Sequence, residues 1–136
     1  MESRFSTEIK VRFAETDAQG VAHHAAYFVW LETTRIEYLS RFRGGYKELR
    51  EEGIDALTLE AYVRYFEPAF FDDVLTVKAR AGEVRGARFR FDYEIVRGGD
   101  PVAEGFTIHA CVDSKTLRPT RMPDWLVQEI GNAEPG

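Results

Sequence analysis

The sequence predicts an α+β fold: a single domain over residues 1–136, with a curved antiparallel sheet covering one long helix. Three observations carry this expectation. From about His24 to Phe42 the apolar residues fall at Tyr27/Phe28, Leu31, Tyr38/Leu39 and Phe42, which is helical spacing with a strongly aromatic face. No long helical pattern recurs after it, and the remainder reads as β-rich runs broken by turn residues. With 136 residues, 44% hydrophobic and 13% aromatic, the chain can bury one core and is cramped for two.

In chain order, Ile9, Val11 and Phe13 alternate with Lys10 and Arg12, the period of a strand with one buried face. The aromatic helix follows and is ended by Gly44 and Gly45, after which KELREEG adds a turn or two of helix before Ile54. Leu57–Phe66, Val74–Ala81, Arg88–Val96 and Val102–Val112 are the β-rich runs, separated by EPAFFDD, GEVRG and RGGDP, and together they read as an antiparallel meander. In the third of these runs Phe89, Phe91, Tyr93 and Ile95 share one face, with Arg88, Arg90, Asp92 and Glu94 on the other. In the fourth, Phe106, Ile108, Ala110 and Val112 form the apolar set and leave His109 and Cys111 on the opposite face. The tail PDWLVQEIGNAEPG is expected to make a short helical turn and then fray. Edge strands in so small a sheet invite pairing with a second copy, so a homodimer is expected.

Composition excludes several function classes. A formal net charge of -5 argues against sequence-independent binding to nucleic acid. The segment MESRFSTEIK lacks the apolar stretch of a signal peptide and no long apolar run follows, so a cytoplasmic protein without a membrane span is expected. Cys111 is the only cysteine, which rules out an intramolecular disulfide and a multi-cysteine metal site, and its apolar strand context marks it as a small buried residue. His23 and His24 are adjacent and His109 lies far off in sequence, so no metal and no cofactor are implied.

The chemistry concentrates in RFAETDAQGVAHHAAYFVWLE, residues 12–32. Asp17 stands one short loop ahead of the helix, where a carboxylate can be a turn residue, a cap or a catalyst. A helix N-terminus exposes unpaired N–H groups and a positive dipole end, both suited to a developing oxyanion. A carbonyl held by N–H groups of residues 21–26 could be attacked by the carboxylate of Asp17 or by a water that it activates. Gly20 lets the loop turn tightly and lets a substrate approach the backbone. One of His23 and His24 can face the core as a hydrogen-bonded histidine, and the other can serve the site.

The segment TDAQGVAHHAAYFVWLETTR resembles the front motif of the hotdog-fold acyl-CoA thioesterases, the 4-hydroxybenzoyl-CoA thioesterase-like group that includes the Tol-Pal-associated enzymes. The shared features are T-D-x-x-G-V, a His shortly before an aromatic residue, and a long helix carrying an acid and an Arg. YFEPAFFDDVLTV is similar to the family's second and third strands, and CVD at Asp113 to the end of its last. The resemblance implies a hotdog fold and hydrolysis of an acyl-CoA thioester to free acid and CoA. It implies that Asp17 is the catalytic carboxylate and that the backbone N–H at His24 polarises the thioester carbonyl, with Tyr27 and Glu32 part of the motif. It further implies an active site between two subunits of a homodimer or homotetramer.

Two features depart from the family pattern. Ala26 stands where many members carry Asn, and another branch places its acid within the helix, where Glu32 and Glu37 lie here. For the substrate, the resemblance directs attention to EVRGARFRF, where Arg85 and Arg88, with Arg90 beside them, can hold the phosphates of coenzyme A. The acyl group is expected against Tyr27, Phe28 and Leu31, with Tyr62 or Phe66 nearby. Two other functions fit the same fold: a β-hydroxyacyl thioester hydratase or dehydratase, which would use a His and an acid, and a non-catalytic acyl-CoA-binding module.

Overall fold

The computed structural model describes residues 1–134. Its centre is helix α1, His24–Ser40, which buries Ala26, Tyr27, Trp30, Leu31, Thr34, Tyr38 and Leu39 at intervals of three and four residues. These positions form one stripe, and burying each large apolar side chain contributes about 1.5–3 kcal/mol. The helix stops two residues before Phe42, which is buried beyond its end, and Gly45, at φ 64°, opens helix α2, Gly45–Glu51.

Five strands cover α1: β1 Phe5–Lys10, β2 Ile54–Tyr65, β3 Val74–Arg85, β4 Arg88–Arg97 and β5 Asp100–Asp113. They form one antiparallel sheet in the order β1-β3-β4-β5-β2. Only β3, β4 and β5 make the expected meander. β2 leaves β3 and pairs with β5, from Ile54 opposite Asp113 to Tyr65 opposite Ala103. The connection between β2 and β3 is too long for a tight hairpin turn, and it crosses the start of α1, where Ala69 accepts the Ala22 N–H.

On β4, Phe89, Phe91, Tyr93 and Ile95 are buried as their alternation predicts. Together with Leu75, Val77 and Ala79 of β3 they form the floor on which α1 lies, and the Tyr38 ring meets Phe91 edge-on at 5.0 Å. This is the arrangement of a hotdog fold, a curved sheet wrapped around a central helix.

The faces of β5 meet the expectation only in part: Ala110 and Val112 are buried as expected, but the opposite face is buried as well. Thr107, His109 and Cys111 point into the core, whereas Phe106 and Ile108 are only partly buried on the outer face. Polar side chains tolerate the interior here because they satisfy one another. The Tyr93 hydroxyl and the Thr107 Oγ1 lie 2.7 Å apart, Thr107 Oγ1 is 2.7 Å from His109 Nε2, and Thr58 Oγ1 is 3.3 Å from His109 Nδ1. The Phe89 ring stacks on the imidazole at 5.0 Å. Cys111 is a small core residue as expected, and burial pushes its thiol up to about 11, away from reactivity.

Two terminal features also differ. Phe13 does not continue the first strand; it lies in a 3-10 turn, Phe13–Glu15, and is 74% exposed against Phe71. The strand pairing ends at Lys10, and the chain then binds Asp72 and Asp73 through the backbone of Val11, which turns it away from the sheet. The tail forms a longer element than expected, helix α3, Asp124–Ala133, held by Leu126 and Ile130 one turn apart in the core. Residues 135–136 of the expected fraying end lie outside the described residues. No helix among the described residues is long and apolar enough to cross a membrane.

Burial, reinforced by the charge of Arg35, pushes the His109 pKa from 6.5 down to about 3. The unfolded chain therefore binds a proton that the folded chain refuses between these values, so stability is complete above pH 6.5 and falls as pH drops toward 3. Urea unfolding at about pH 7.5 and about pH 5.5 should show wild type losing about 1.4 kcal/mol more than His109→Asn. Equal losses would mean that this imidazole is protonated in the folded state.

Candidate active site

The segment between the 3-10 turn and α1 closes on itself as a small loop. Thr16 and Ala22 form a β-bridge, Asp17 N–H donates to the Val21 carbonyl, and Gly20 N–H donates to the Asp17 carbonyl. Gly20 takes φ 80°, a left-handed conformation natural to glycine, and its carbonyl accepts the Phe71 N–H. His23 N–H donates to the Glu15 carbonyl at 3.0 Å and seals the base of the loop against the helix.

Within this loop the Asp17 carboxylate has a divided role. Its Oδ1 accepts the N–H groups of Gln19 at 2.8 Å and Val21 at 3.1 Å, which makes Asp17 a turn former. Its Oδ2 has no hydrogen-bond partner among the described residues, and the side chain is exposed. One oxygen organises the loop and leaves the other available for chemistry.

The start of α1 matches this need. The N-cap His23 makes no side-chain capping bond, and the first turn holds no acidic residue. The N–H groups of His24 and Ala25 meet no acceptor among the described residues, so they and the helix dipole remain open to an oxyanion. His24 is exposed, and its ring lies 5.1 Å from that of Tyr65.

A cleft of about 280 Å³ opens here, lined by Val21, Ala22, His24, Tyr27, Tyr65 and Phe66 with Glu67 and Pro68. Desolvation raises the pKa of both phenols, Tyr27 and Tyr65, so each stays a hydroxyl at neutral pH. The rings of Tyr27 and Tyr65 meet edge-on at 4.8 Å and form an aromatic wall.

Of the expected residues, His24 and Tyr27 line this cleft, whereas Asp17 and Gly20 belong to the loop that adjoins it through Val21. Leu31 belongs to the core, 1% exposed, and Phe28 projects from α1 without lining this cleft. Among the described residues the two alternative acids also have other partners: Glu32 lies 4.0 Å from Arg35, and Glu37 accepts a bond from Thr7. Arg85 and Arg88 flank the β3–β4 turn, at the end of β3 opposite the Asp17 loop. There they line a second cleft with Glu83, Phe89, Arg90 and Ile108. Arg88 lies 3.9 Å from Glu60, whereas Arg85 makes no ion pair among the described residues.

The sequence pointed past Glu15. Its carboxylate is 6% exposed and accepts Arg12 N–H at 2.9 Å and Trp30 Nε1–H at 2.9 Å. Burial favours its neutral form, but these bonds and the Arg12 guanidinium outweigh it and hold the pKa below the usual glutamate range.

A model of the thioesterase-like superfamily matches residues 11–130. The chain belongs to that superfamily. It is 31% identical over 124 residues to the acyl-CoA thioesterase YbgC of Haemophilus influenzae, covering 90% of this chain and 91% of that one. Among solved structures, the protein TT1821 of Thermus thermophilus superposes with a TM-score of 0.88 at 34% identity, covering 98% of this chain and 100% of that one. The DHNA-CoA thioesterase of Staphylococcus aureus superposes with a TM-score of 0.84 at 31% identity, covering 93% of this chain and 92% of that one.

The two loop bonds to Asp17 separate its structural role from any chemical one. Asp17→Asn retains an acceptor at Oδ1 and should leave thermal stability unchanged within about 0.5 kcal/mol, whereas Asp17→Ala should cost about 1 kcal/mol, the scale of a lost capping side chain. Thermal or urea unfolding of the two variants checks this. Equal stability of Asp17→Ala and wild type would show that the loop does not depend on the carboxylate.

Proposed function

We propose that this protein is an acyl-CoA thioesterase, hydrolysing the thioester to a free acid and CoA at the start of α1. The observation that carries the reading is the Asp17 carboxylate, fixed by Gln19 and Val21 through one oxygen with the other unpartnered among the described residues, one loop ahead of the N–H groups of His24 and Ala25, which no described side chain caps. The thioester carbonyl accepts hydrogen bonds from those N–H groups, which strengthen as negative charge develops on its oxygen. Asp17 then attacks the carbonyl carbon to give an acyl anhydride that water cleaves, or it takes a proton from the attacking water. Both routes expel CoA as thiolate and need the same carboxylate.

The acyl group occupies the cleft beside Tyr27, Tyr65 and Phe66. An aromatic wall of this kind suits an aryl-acyl group, which can meet the rings edge-on or offset. The naming of a relative as a DHNA-CoA thioesterase supports the same substrate class.

The nucleotide half of the substrate is held by Arg85 and Arg88 of a second copy. β2 is a long edge strand with Leu57, Leu59 and Tyr62 exposed, a surface that calls for cover. Antiparallel pairing of two β2 edges brings the β3–β4 turn of one copy toward the Asp17 end of the other, which places both arginines where a single chain cannot. The protein then works as a homodimer or as a pair of dimers.

Thiol release from a panel of aryl, short-chain and long-chain acyl-CoAs tests the chemistry. Wild type should turn over, with aryl-acyl substrates preferred, and Asp17→Asn should lose at least about 10²-fold in kcat. Turnover by Asp17→Asn equal to wild type would sink the catalytic role. The shared site has its own test, in which Asp17→Asn and Arg85→Ala/Arg88→Ala subunits are mixed after unfolding. Hybrid dimers hold one intact site and should regain activity that neither parent shows. A mixture no more active than its parents would place Asp17 and the arginines in the same subunit's site.

A further inference from the structure

We propose that Glu15 is a positioning residue for turnover, one that fixes the Asp17 loop against the N-terminus of α1 through its bond to Trp30. The inference rests on the catalytic reading of Asp17 and names the device that sets its position. Glu15 is the one charged side chain among the buried residues described. Burying a carboxylate costs several kcal/mol unless hydrogen bonds satisfy it, and an apolar side chain of similar size would pack under Trp30 more cheaply. The structure retains the charge and surrounds it with donors.

Those donors belong to the two parts that must stay in register. Oε1 accepts the Arg12 N–H and Oε2 the Arg12 guanidinium at 3.3 Å, which fixes the chain entering the loop. Oε2 also accepts the indole N–H of Trp30, which is 2% exposed and lies in the body of α1. The backbone of the same residue completes the brace, because the Glu15 carbonyl accepts the N–H of His23, the helix N-cap. One residue therefore binds both ends of the loop that carries Asp17 and ties it to the helix whose N–H groups face the carbonyl. At 6% exposure, with both carboxylate oxygens engaged, Glu15 does not reach substrate itself. A reacting group misplaced by about 1 Å can lose on the order of 10²-fold in rate, so a brace of this kind acts on kcat.

The test uses Glu15→Gln, Trp30→Phe, the double variant and Asp17→Asn in the full chain, with folding matched by circular dichroism and thermal midpoint. Glu15→Gln should lower kcat by about 10-fold or more with KM within about 3-fold, and Trp30→Phe, which keeps the aromatic packing and removes the donor, should do the same. The double variant should be within about 2-fold of the worse single variant, because both changes break one bond. Unchanged kcat in the folded single variants, a loss confined to KM, or losses that multiply in the double variant would overturn the proposal. If Glu15→Gln does not fold, Trp30→Phe alone decides by its split between kcat and KM. Asp17→Asn separates the two levels: wild-type turnover there removes the catalytic reading, whereas an inactive Asp17→Asn beside a fully active Glu15→Gln removes only the role of Glu15.

Discussion

Everything in this fold follows from the need to cover α1. Tyr27, Trp30, Leu31, Tyr38 and Leu39 are all buried, and a helix with so aromatic a stripe is unstable in water without a surface to receive it. The sheet supplies that surface through Leu75, Val77, Phe91, Tyr93 and Ile95, and its curvature follows the helix. Because the sheet grips the body of α1, the helix start is held at a fixed place. The unpaired N–H groups of His24 and Ala25 can therefore serve as a preorganised feature and do not need a capping side chain of their own.

The loop before α1 is built on the same economy of backbone groups. Gly20 in the left-handed region turns the chain, the 66–73 segment receives it at Ala69 and Phe71, and Asp17 closes it with one carboxylate oxygen. The turn and catalytic readings of Asp17 are therefore compatible. A carboxylate that bonds two backbone N–H groups with one oxygen is oriented by them, and the second oxygen has a defined direction. Superfamily membership rests on the match over residues 11–130, while the proposed mechanism rests on this local geometry.

Much of the fold was legible because its signals are local. The α1 pattern and the alternation on β4 each depend on residues a few positions apart, and both elements appear where the periodicity puts them. The departures arise where distant partners decide. Phe13 looked like a strand residue, but the chain leaves the sheet at Val11 because Asp72 and Asp73 bind its backbone. His109 was expected on the face opposite the apolar set, yet Thr107 and Thr58 satisfy it in the core. β2 pairs with β5 across some 50 intervening positions, a choice that no short window contains. At the candidate site, the motif directs attention to Asp17, Gly20 and His24, whereas no local pattern directs it to Glu15, since its donor Trp30 lies fifteen residues on. Its position two residues before Asp17 was the one local hint.

In the proposed reaction a thioester carbonyl sits between Asp17 and the first N–H groups of α1. The most direct measurement is a crystal structure of the protein with a bound acyl-CoA analogue in which a methylene separates sulfur from the carbonyl and prevents hydrolysis. The ketone oxygen should lie about 3 Å from the N–H of His24 or Ala25, with the Asp17 carboxylate on the open side of the carbonyl carbon and the nucleotide against Arg85 and Arg88 of a second copy. A carbonyl bound elsewhere, with the helix start and Asp17 facing solvent, would contradict it.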